Sequence, residues 1–493
     1  AIAVFDRHRP NDLAGLAPWL VIDAAGPFQD SGYELALAAI DGGAHHIDFA
    51  DARTFVAGFP TSLDQKARAR GVLAVTGASS TPALSHAALT PLVAGWTQID
   101  ETIVTISPGA RSPRGLSVVK SILSYAGKPV RIFDEGEWRT TPGWSLTRRL
   151  SMPGLGTRWA SLCETPDLDL LPARFPVRRS ALFLAGLELT VLHLGLGLLC
   201  WPVRLKWVHS LRPLAKPLNA IAGLLCVFGS DRGGMIVEAA GLDPENRPIR
   251  ARWSLTAKAN AGPNVPVAAA SALCKAILDK RQTKTGAFAC VGLLTCEEIL
   301  EELKHLPIET RVDESLCKDT SLFRRLIGRR FDLLPRAFRI VHDGRTDASF
   351  HGNAVVRIGQ SLAARLITRI MNLPRPGTHR IEVRIAPGPD GETWTRTFGT
   401  ASFRSCLSDA PRLGEFQEVF GPLRFSFDLQ SSAAGVKWQF TGWSLLGLPV
   451  PRWAGPRMKA GAIGTGGRYS FSVVVNHPLT GLLFAYRGGL DAP

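Results

Sequence analysis

The sequence has no paired cysteine motif. Its eight cysteines are scattered, with no CxxC pair and no histidine at the spacing of a zinc site. A zinc domain or a disulfide scaffold is therefore not indicated, and no metal site is expected. Thiols that stay reduced and fill the core are typical of a cytoplasmic protein. No secretory signal opens the chain, but it begins with Ala and not Met, so we expect its natural start to lie upstream.

Motifs for several catalytic classes are also lacking. The chain has no HExxH, no P-loop and no Ser-His-Asp order. The glycine pairs that begin at Gly154, Gly195 and Gly464 do not follow a strand and open a helix, as a dinucleotide fingerprint does. We interpret them as turn or packing glycines.

Acidic residues are scarce in the last third of the chain. Residues 321–493 contain 23 Lys and Arg, 21 of them Arg, against 11 Asp and Glu, so this part carries +12 of the total net charge of +15. The arginines are dispersed through strand-like segments without interleaved aromatic residues or Lys-rich runs, which disfavours nucleic acid as a partner. An anionic ligand or a membrane surface is the better prediction.

The order of apolar runs predicts an α/β plus β-rich protein. A chain of 493 residues is too long for one core. Short apolar strands alternate with helices over residues 1–100, which predicts an incomplete Rossmann-like parallel sheet. Residues 101–312 predict an α+β second domain. Residues 320–493 alternate apolar and polar positions between Gly and Pro, which predicts an antiparallel curved sheet with one or two helices.

A long apolar run covers Ala181–Trp201, within a region of apolar helices at 181–229. It is long enough to cross a bilayer, but Glu188 and His193 interrupt it. Three alternatives stay open: a helix that spans a membrane, a helix buried in the protein, and a helix that lies in a membrane interface. We expect Glu188 and His193 to satisfy local partners rather than to act together.

Small or polar residues follow three consecutive predicted strands. The segments are VIDAAGPFQ (21–29), HHIDFADAR (45–53) and TGASSTPALS (76–85). In open α/β sheets ligands bind at the carboxyl ends of the strands, although each segment alone could be a simple turn. His45, His46, Asp48 and Asp51 could each act in catalysis or be a solvated or satisfied strand end, so the catalytic residues stay unknown.

These segments together resemble a known family. With YELALAAIDGG they are similar to the later half of the nucleotide-binding domain of saccharopine-dehydrogenase-like reductases. Residues 101–312, with GGMIVEAAGLD and LLTCEEILEELKHLP, are similar to the second domain of that family. Residues 321–493, with NHPLTGLLFAYRGGL, resemble a bacterial domain of unknown function, of the 4166 type, that is fused behind such reductases.

The resemblance implies a binding site for NADP or NAD. The positions carried over are Gly26, Pro27, Phe28, Thr76, Gly77, Ala78 and Ser79 at the nicotinamide, and Asp6 near the adenine. The resemblance makes AIAVF the third strand of the fold, with the glycine-rich phosphate loop upstream of Ala1. We therefore expect the cofactor site to be incomplete and dinucleotide binding by this chain to be weak.

The sequence thus predicts an NAD(P)-dependent oxidoreductase whose small-molecule substrate is hydrophobic, because the region 181–229 is so apolar. The alternative is a non-catalytic lipid-handling or membrane-associated scaffold protein. Peripheral contact with the inner membrane and a homodimer are further hypotheses.

Overall fold

The computed structural model describes most of the chain, in two compact units, Ala1–Glu314 and Ser315–Pro493. Both units have a hydrophobic core of their own. The described residues are 5–6, 9–113, 115–316, 321–343, 347–371, 373–388, 391–410, 415–445, 448–451, 453, 455–465 and 467–491.

The first unit opens with a parallel sheet. Its four described strands are β1 (Leu20–Asp23), β2 (His45–Asp48), β3 (Leu73–Thr76) and β12 (Gly286–Ala289), hydrogen-bonded in that order. All four residues of β3 are buried, as its unbroken apolar run predicts for a strand covered on both faces. The fourth strand, β12, comes from residues 101–312, which the sequence predicted to form a separate second domain. The AIAVF strand falls mostly on residues 1–4, outside the described part of the chain.

A mixed sheet of nine described strands forms the rest of the first unit. The central strand β4 pairs with β9 in parallel and with β10 in antiparallel orientation. The region 129–180, which is rich in turns by sequence, supplies four of the strands. The strands are β4 (Gln98–Ser107), β5 (Pro129–Asp134), β6 (Glu137–Pro142), β7 (Arg148–Met152), β8 (Gly156–Leu162), β9 (Val177–Ala185), β10 (Gly233–Leu242), β11 (Pro248–Ala257) and β13 (Ile308–Leu316).

The long apolar run Ala181–Trp201 does not form one helix. Its first residues complete β9, Glu188 lies in the connection, and only the rest is helical. Among the described residues, no helix is both long enough and apolar enough to cross a membrane. The helices of this unit are α1 (Glu34–Asp41), α2 (Arg53–Arg70), α3 (Ser85–Leu92), α4 (Leu116–Tyr125), α5 (Asp167–Arg174), α6 (Thr190–Arg204), α7 (Ala215–Leu225), α8 (Val265–Leu278) and α9 (Cys296–Glu301).

The antiparallel curved sheet predicted for the second unit is confirmed, and the sheet closes into a ring. Ten of its described strands form a barrel-like ring in which the first strand pairs with the last, and β21 extends β20. The strands are β14 (Ala348–Ile358), β15 (Gly377–Gly388), β16 (Gly391–Phe398), β17 (Ala401–Asp409), β18 (Glu415–Phe420), β19 (Leu423–Ser432), β20 (Gly435–Leu445), β21 (Leu448–Val450), β22 (Arg457–Thr465), β23 (Arg468–His477) and β24 (Gly481–Asp491).

Aromatic side chains and a few paired charges fill this ring. Residues of β16 alternate between buried and half-buried, as a strand of a closed barrel does. Buried Arg396 donates to Ser405 and to Glu418 Oε1, at 2.8 and 3.2 Å, so the inward charge has its partners. Three described helices accompany the ring: α10 (Leu322–Ile327), α11 (Arg336–Val341) and α12 (Leu362–Ile370).

Candidate functional site

The carboxyl edge of the parallel sheet is organised by Asp48, the last residue of β2. This side chain is fully buried. Its Oδ1 accepts hydrogen bonds from the Ala50 amide (2.9 Å), the Thr76 hydroxyl (2.8 Å) and the Gly77 amide (2.9 Å). The Ala78 amide donates to the Asp48 carbonyl at 2.8 Å. Asp48 therefore fixes the loop after β3 against the end of β2.

The loop after β3 contains four of the residues that the resemblance predicts at a cofactor. Thr76, Gly77 and Ala78 are buried, and Ser79 is half-buried. Gly77 has a φ of +73°, and a Cβ there would lie 2.7 Å from Cδ of Pro82, so the turn requires glycine. The Thr76 hydroxyl and the Gly77 amide both donate to Asp48. The side chain of Ser79 is half-exposed.

The loop after β1 reaches the same edge, since β1, β2 and β3 are parallel. Gly26 is exposed and Pro27 half-buried, whereas Phe28 is buried against Phe55, with ring centroids 5.4 Å apart. Phe28 thus anchors the loop in the core. Asp6 is exposed and precedes the short turn of helix at Pro10–Leu16, where its carbonyl accepts from the Arg9 amide.

A hydrogen-bonded triad joins this edge to α4. Gln29 Nε2 donates to Asp51 Oδ1 at 3.2 Å and to Ser121 Oγ at 2.6 Å, and Ser121 Oγ donates to Asp51 Oδ2 at 3.3 Å. Burial raises the pKa of Asp51 above its ordinary value, although the hydrogen bonds partly oppose this. The sequence pointed to Asp51 as a strand-end carboxylate, but nothing in it indicated Gln29 or Ser121 as its partners.

Two buried side-chain oxygens follow strands of this sheet without a hydrogen-bond partner. Within the described part of the chain, Gln29 Oε1 and Thr81 Oγ1 are buried without a hydrogen-bond partner. They follow β1 and β3, the two strands whose loops the resemblance places at a nicotinamide. A buried polar group without a partner is costly. A ligand with an amide group, such as a nicotinamide, would offer Gln29 Oε1 a donor.

The two histidine candidates and the buried thiol of Cys163 have structural surroundings. His45 Nδ1 accepts from the Leu73 amide at 3.0 Å, and burial lowers its pKa. His46 is buried, with Nε2 3.4 Å from Asp48 Oδ2. Cys163 lies 2.7 Å from the hydroxyl of Tyr125, and burial raises the pKa of its thiol to about 12, so it stays protonated. No cluster of metal-binding side chains occurs among the described residues.

Glu188 and His193 have local partners, as expected. Glu188 accepts from the Ala110 amide (2.6 Å), from Ser230 (amide 2.9 Å, hydroxyl 2.5 Å) and from Arg158 (2.9 Å). His193 Nε2 lies 2.9 Å from Ser161 Oγ. The two polar residues in the apolar run thus tie β9 and α6 to the mixed sheet.

An apolar cavity of about 880 Å³ lies between α4, α6, α7 and the mixed sheet. Its volume is in the range of small-molecule sites. The walls are almost entirely aliphatic, with Leu123, Leu196, Leu218 and Met235 among them, and they extend to Ser80. Since Ser80 directly follows the Thr76–Ser79 loop, the cavity reaches the carboxyl edge of the parallel sheet.

Comparisons with known proteins found one family model that matches the chain and several solved structures that are similar to it. Residues 333–490 match a family model described as domain of unknown function (DUF4166). The chain is similar in structure to apo saccharopine dehydrogenase (L-Glu forming) from Saccharomyces cerevisiae, at 9% identity, with 63% of this chain and 88% of that chain covered and a TM-score of 0.44.

Two further solved structures are similar over smaller overlaps. Rv2717c from M. tuberculosis is 12% identical, over 32% of this chain and 99% of that chain, with a TM-score of 0.21. A protein of unknown function from the DUF3598 family of Nostoc punctiforme is 11% identical, over 53% and 67% of the two chains, with a TM-score of 0.18. No curated protein sequence matches the chain significantly.

Proposed function

We propose that the first unit is an NAD(P)-dependent oxidoreductase that acts on a hydrophobic, acyl-chain-like substrate. The observation that carries the proposal is the cavity of about 880 Å³, which is lined by aliphatic side chains and extends to Ser80 beside the carboxyl edge. Open α/β sheets bind nucleotides at this edge. An apolar chain in the cavity would therefore have one end next to a nicotinamide.

The carboxyl edge offers a place for the cofactor. The residues that would hold it are Gly26, Pro27, Phe28, Thr76, Gly77, Ala78 and Ser79, with Asp6 nearer the adenine. Bound there, the nicotinamide would supply or accept the hydride. Gln29 Oε1 and Thr81 Oγ1 give the edge two buried polar atoms that still lack partners among the described residues. NADP and NAD fit these observations equally.

Asp51 is the group we propose for holding a proton beside the edge. Its carboxyl is linked to Gln29 and Ser121, and burial raises its pKa, so it keeps a proton to higher pH than an exposed carboxyl does. Ser121 lies on α4, the helix that also supplies Ile122 and Leu123 to the cavity wall. This helix therefore connects the polar triad with the apolar chamber.

The cavity can be tested with cis-parinaric acid, a fluorescent fatty acid. Gly195 lines the cavity and has no heavy atom within 4 Å of a Cβ position. We predict that Gly195→Leu weakens binding roughly tenfold, because the added side chain takes up space that the acyl chain needs. Gly223→Leu is the matched control: it is also a helical glycine with open space, but it does not line the cavity. Equal affinities of the two variants would contradict the proposal.

The alternative is a non-catalytic lipid-handling protein, which the same cavity favours. Titration with NADPH and NADH separates the two functions, because only the oxidoreductase needs a dinucleotide. Because weak binding is expected of this chain, the titration extends to millimolar dinucleotide, and saturable binding that Ser79→Trp weakens supports the oxidoreductase even where the affinity is low. Acyl binding in the cavity with no saturable dinucleotide binding over that range supports the lipid-handling protein.

A location follows from the same proposal. We place the protein in the cytoplasm, where its thiols would stay reduced, in contact with the inner membrane from which an apolar substrate can come. A homodimer stays a prediction, and light scattering of the full chain measures it.

A further inference from the structure

The exposed surface of α6, α7 and their connection is unusually apolar. Trp207 and Phe228 are each 77% exposed, and Leu198 and Leu224 are 70% and 77% exposed. We call residues 198–228 the α6–α7 surface. Scattered apolar side chains are normal on a protein surface, but so many exposed large apolar side chains within residues 198–228 mark a region that a partner or a membrane covers.

The charge of this segment is of one sign. Residues 189–230 contain Arg204, Lys206, Arg212 and Lys216 and no Asp or Glu. Lys206 and Lys216 are exposed, whereas Arg212 is paired with Asp30. Lysine and tryptophan beside exposed aliphatic residues are the composition of a helix that lies in the interface of an anionic bilayer.

The α6–α7 surface is continuous with the mouth of the cavity. Val191, Leu198 and Ile221 line the cavity and are nevertheless 67%, 70% and 46% exposed. The cavity is open to solvent, and side chains of both α6 and α7 in its wall have large exposed areas. A ligand that leaves the cavity past these side chains emerges onto the α6–α7 surface.

We propose that the α6–α7 surface docks on an anionic lipid bilayer, so that an apolar chain passes between the membrane and the cavity without crossing water. The helices would lie in the interface, because α6 has 15 residues and spans about 22 Å at 1.5 Å per residue, less than a bilayer core. The proposal deepens the proposed function by naming the source of its substrate. It assigns the membrane contact to the first unit, although most of the net charge belongs to the second.

Flotation of the full-length chain with vesicles tests this. We expect binding to vesicles of phosphatidylcholine and phosphatidylglycerol, and less to phosphatidylcholine alone. Trp207→Glu should reduce the binding roughly tenfold, because a carboxylate replaces a ring that would be buried in the interface. The matched control is Trp453→Glu in the second unit, which replaces a tryptophan with the same 77% exposure and should leave binding unchanged. The double variant Lys206→Gln, Lys216→Gln should lower the preference for the anionic vesicles and its sensitivity to salt.

Two results would overturn the proposal. One is a wild-type chain that binds neither kind of vesicle, and if that chain is a dimer that Trp207→Glu makes monomeric, a second copy covers the surface instead. The other is an equal effect of Trp207→Glu and Trp453→Glu on vesicle binding. The affinity for cis-parinaric acid in solution is measured in parallel. Its retention in Trp207→Glu shows that the variant is folded, and acyl binding without vesicle binding rejects the docking surface while leaving the proposed function in place.

Discussion

At the scale of single residues, Asp48 determines the geometry of the carboxyl edge. One carboxylate oxygen accepts hydrogen bonds from a backbone amide of its own loop and from two donors of the loop after β3. The side chain is fully buried, so water cannot replace it as an acceptor. The loop that would contact a cofactor is therefore held in place before any ligand binds.

Asp48→Ala should lower the free energy of unfolding by about 4 kcal/mol, because it leaves three buried donors without an acceptor. Asp48→Asn keeps the oxygen and should cost less. Urea unfolding of the full chain measures both. As a control, Asp41→Ala removes an exposed carboxylate 3.8 Å from Lys66 and should cost about 0.5 kcal/mol or less. Losses of similar size at both positions would show that Asp48 does not hold the edge.

Sequence patterns identified only part of this site. The segments after β1, β2 and β3 were expected at one edge, and parallel pairing of these strands places them there. The resemblance placed Thr76 at the nicotinamide, and its hydroxyl donates to Asp48, a partner that the sequence did not indicate. Ser121 contacts Gln29 across a separation of 92 residues. Such a partner depends on tertiary packing, which leaves no periodic signal in the chain.

At the scale of elements, close contact between β14 and β24 closes the barrel. Gly352, Gly488 and Gly489 lie where these two strands pair. A Cβ on Gly488 would lie 2.2 Å from the Asn353 carbonyl oxygen. The close approach of the two backbones thus explains why glycines occupy the RGGL segment at 487–490.

Gly488→Ala should destabilise the second unit by about 3 kcal/mol, because the strands must separate to admit the methyl group. Gly442→Ala is the control, since Gly442 also lies in a strand of the barrel but has no heavy atom within 4 Å of a Cβ position. Its stability should change by less than about 0.5 kcal/mol. Thermal unfolding followed by near-ultraviolet circular dichroism compares the two, and an equal shift would contradict this explanation of the glycine.

Secondary structure was predictable where the hydrophobic period was clear. Alternation in residues 320–493 predicted the antiparallel strands, and short buried runs predicted β2 and β3. The run Ala181–Trp201 was ambiguous because a continuous apolar stretch has no period that separates the end of β9 from α6. Closure of the barrel could not be predicted either, because the pairing of β14 with β24 joins segments more than a hundred residues apart.

At the scale of the whole molecule, most of the net charge lies on the second unit, whereas exposed large apolar side chains are densest in residues 198–228 of the first unit. The net charge of +12 on residues 321–493 drew attention to the second unit as a membrane-binding part. The structure instead gathers exposed tryptophan, leucine and phenylalanine on α6, α7 and their connection, in the first unit. Net charge determines the attraction of a protein to an anionic surface at a distance. Burial in a bilayer requires exposed apolar area, and the position of that area is known only from the structure.

The central claim is that the apolar cavity and the carboxyl edge form one site, and photo-crosslinking tests it most directly. Palmitic acid analogues with a diazirine at either end are bound to the full-length chain, irradiated and mapped by mass spectrometry. We expect one of the two analogues to label Ser80 or Thr81, with unlabelled palmitate competing and Gly195→Leu reducing the yield. Labelling of α6 and α7 alone by both analogues would show that the chain does not reach the edge, and would contradict the account.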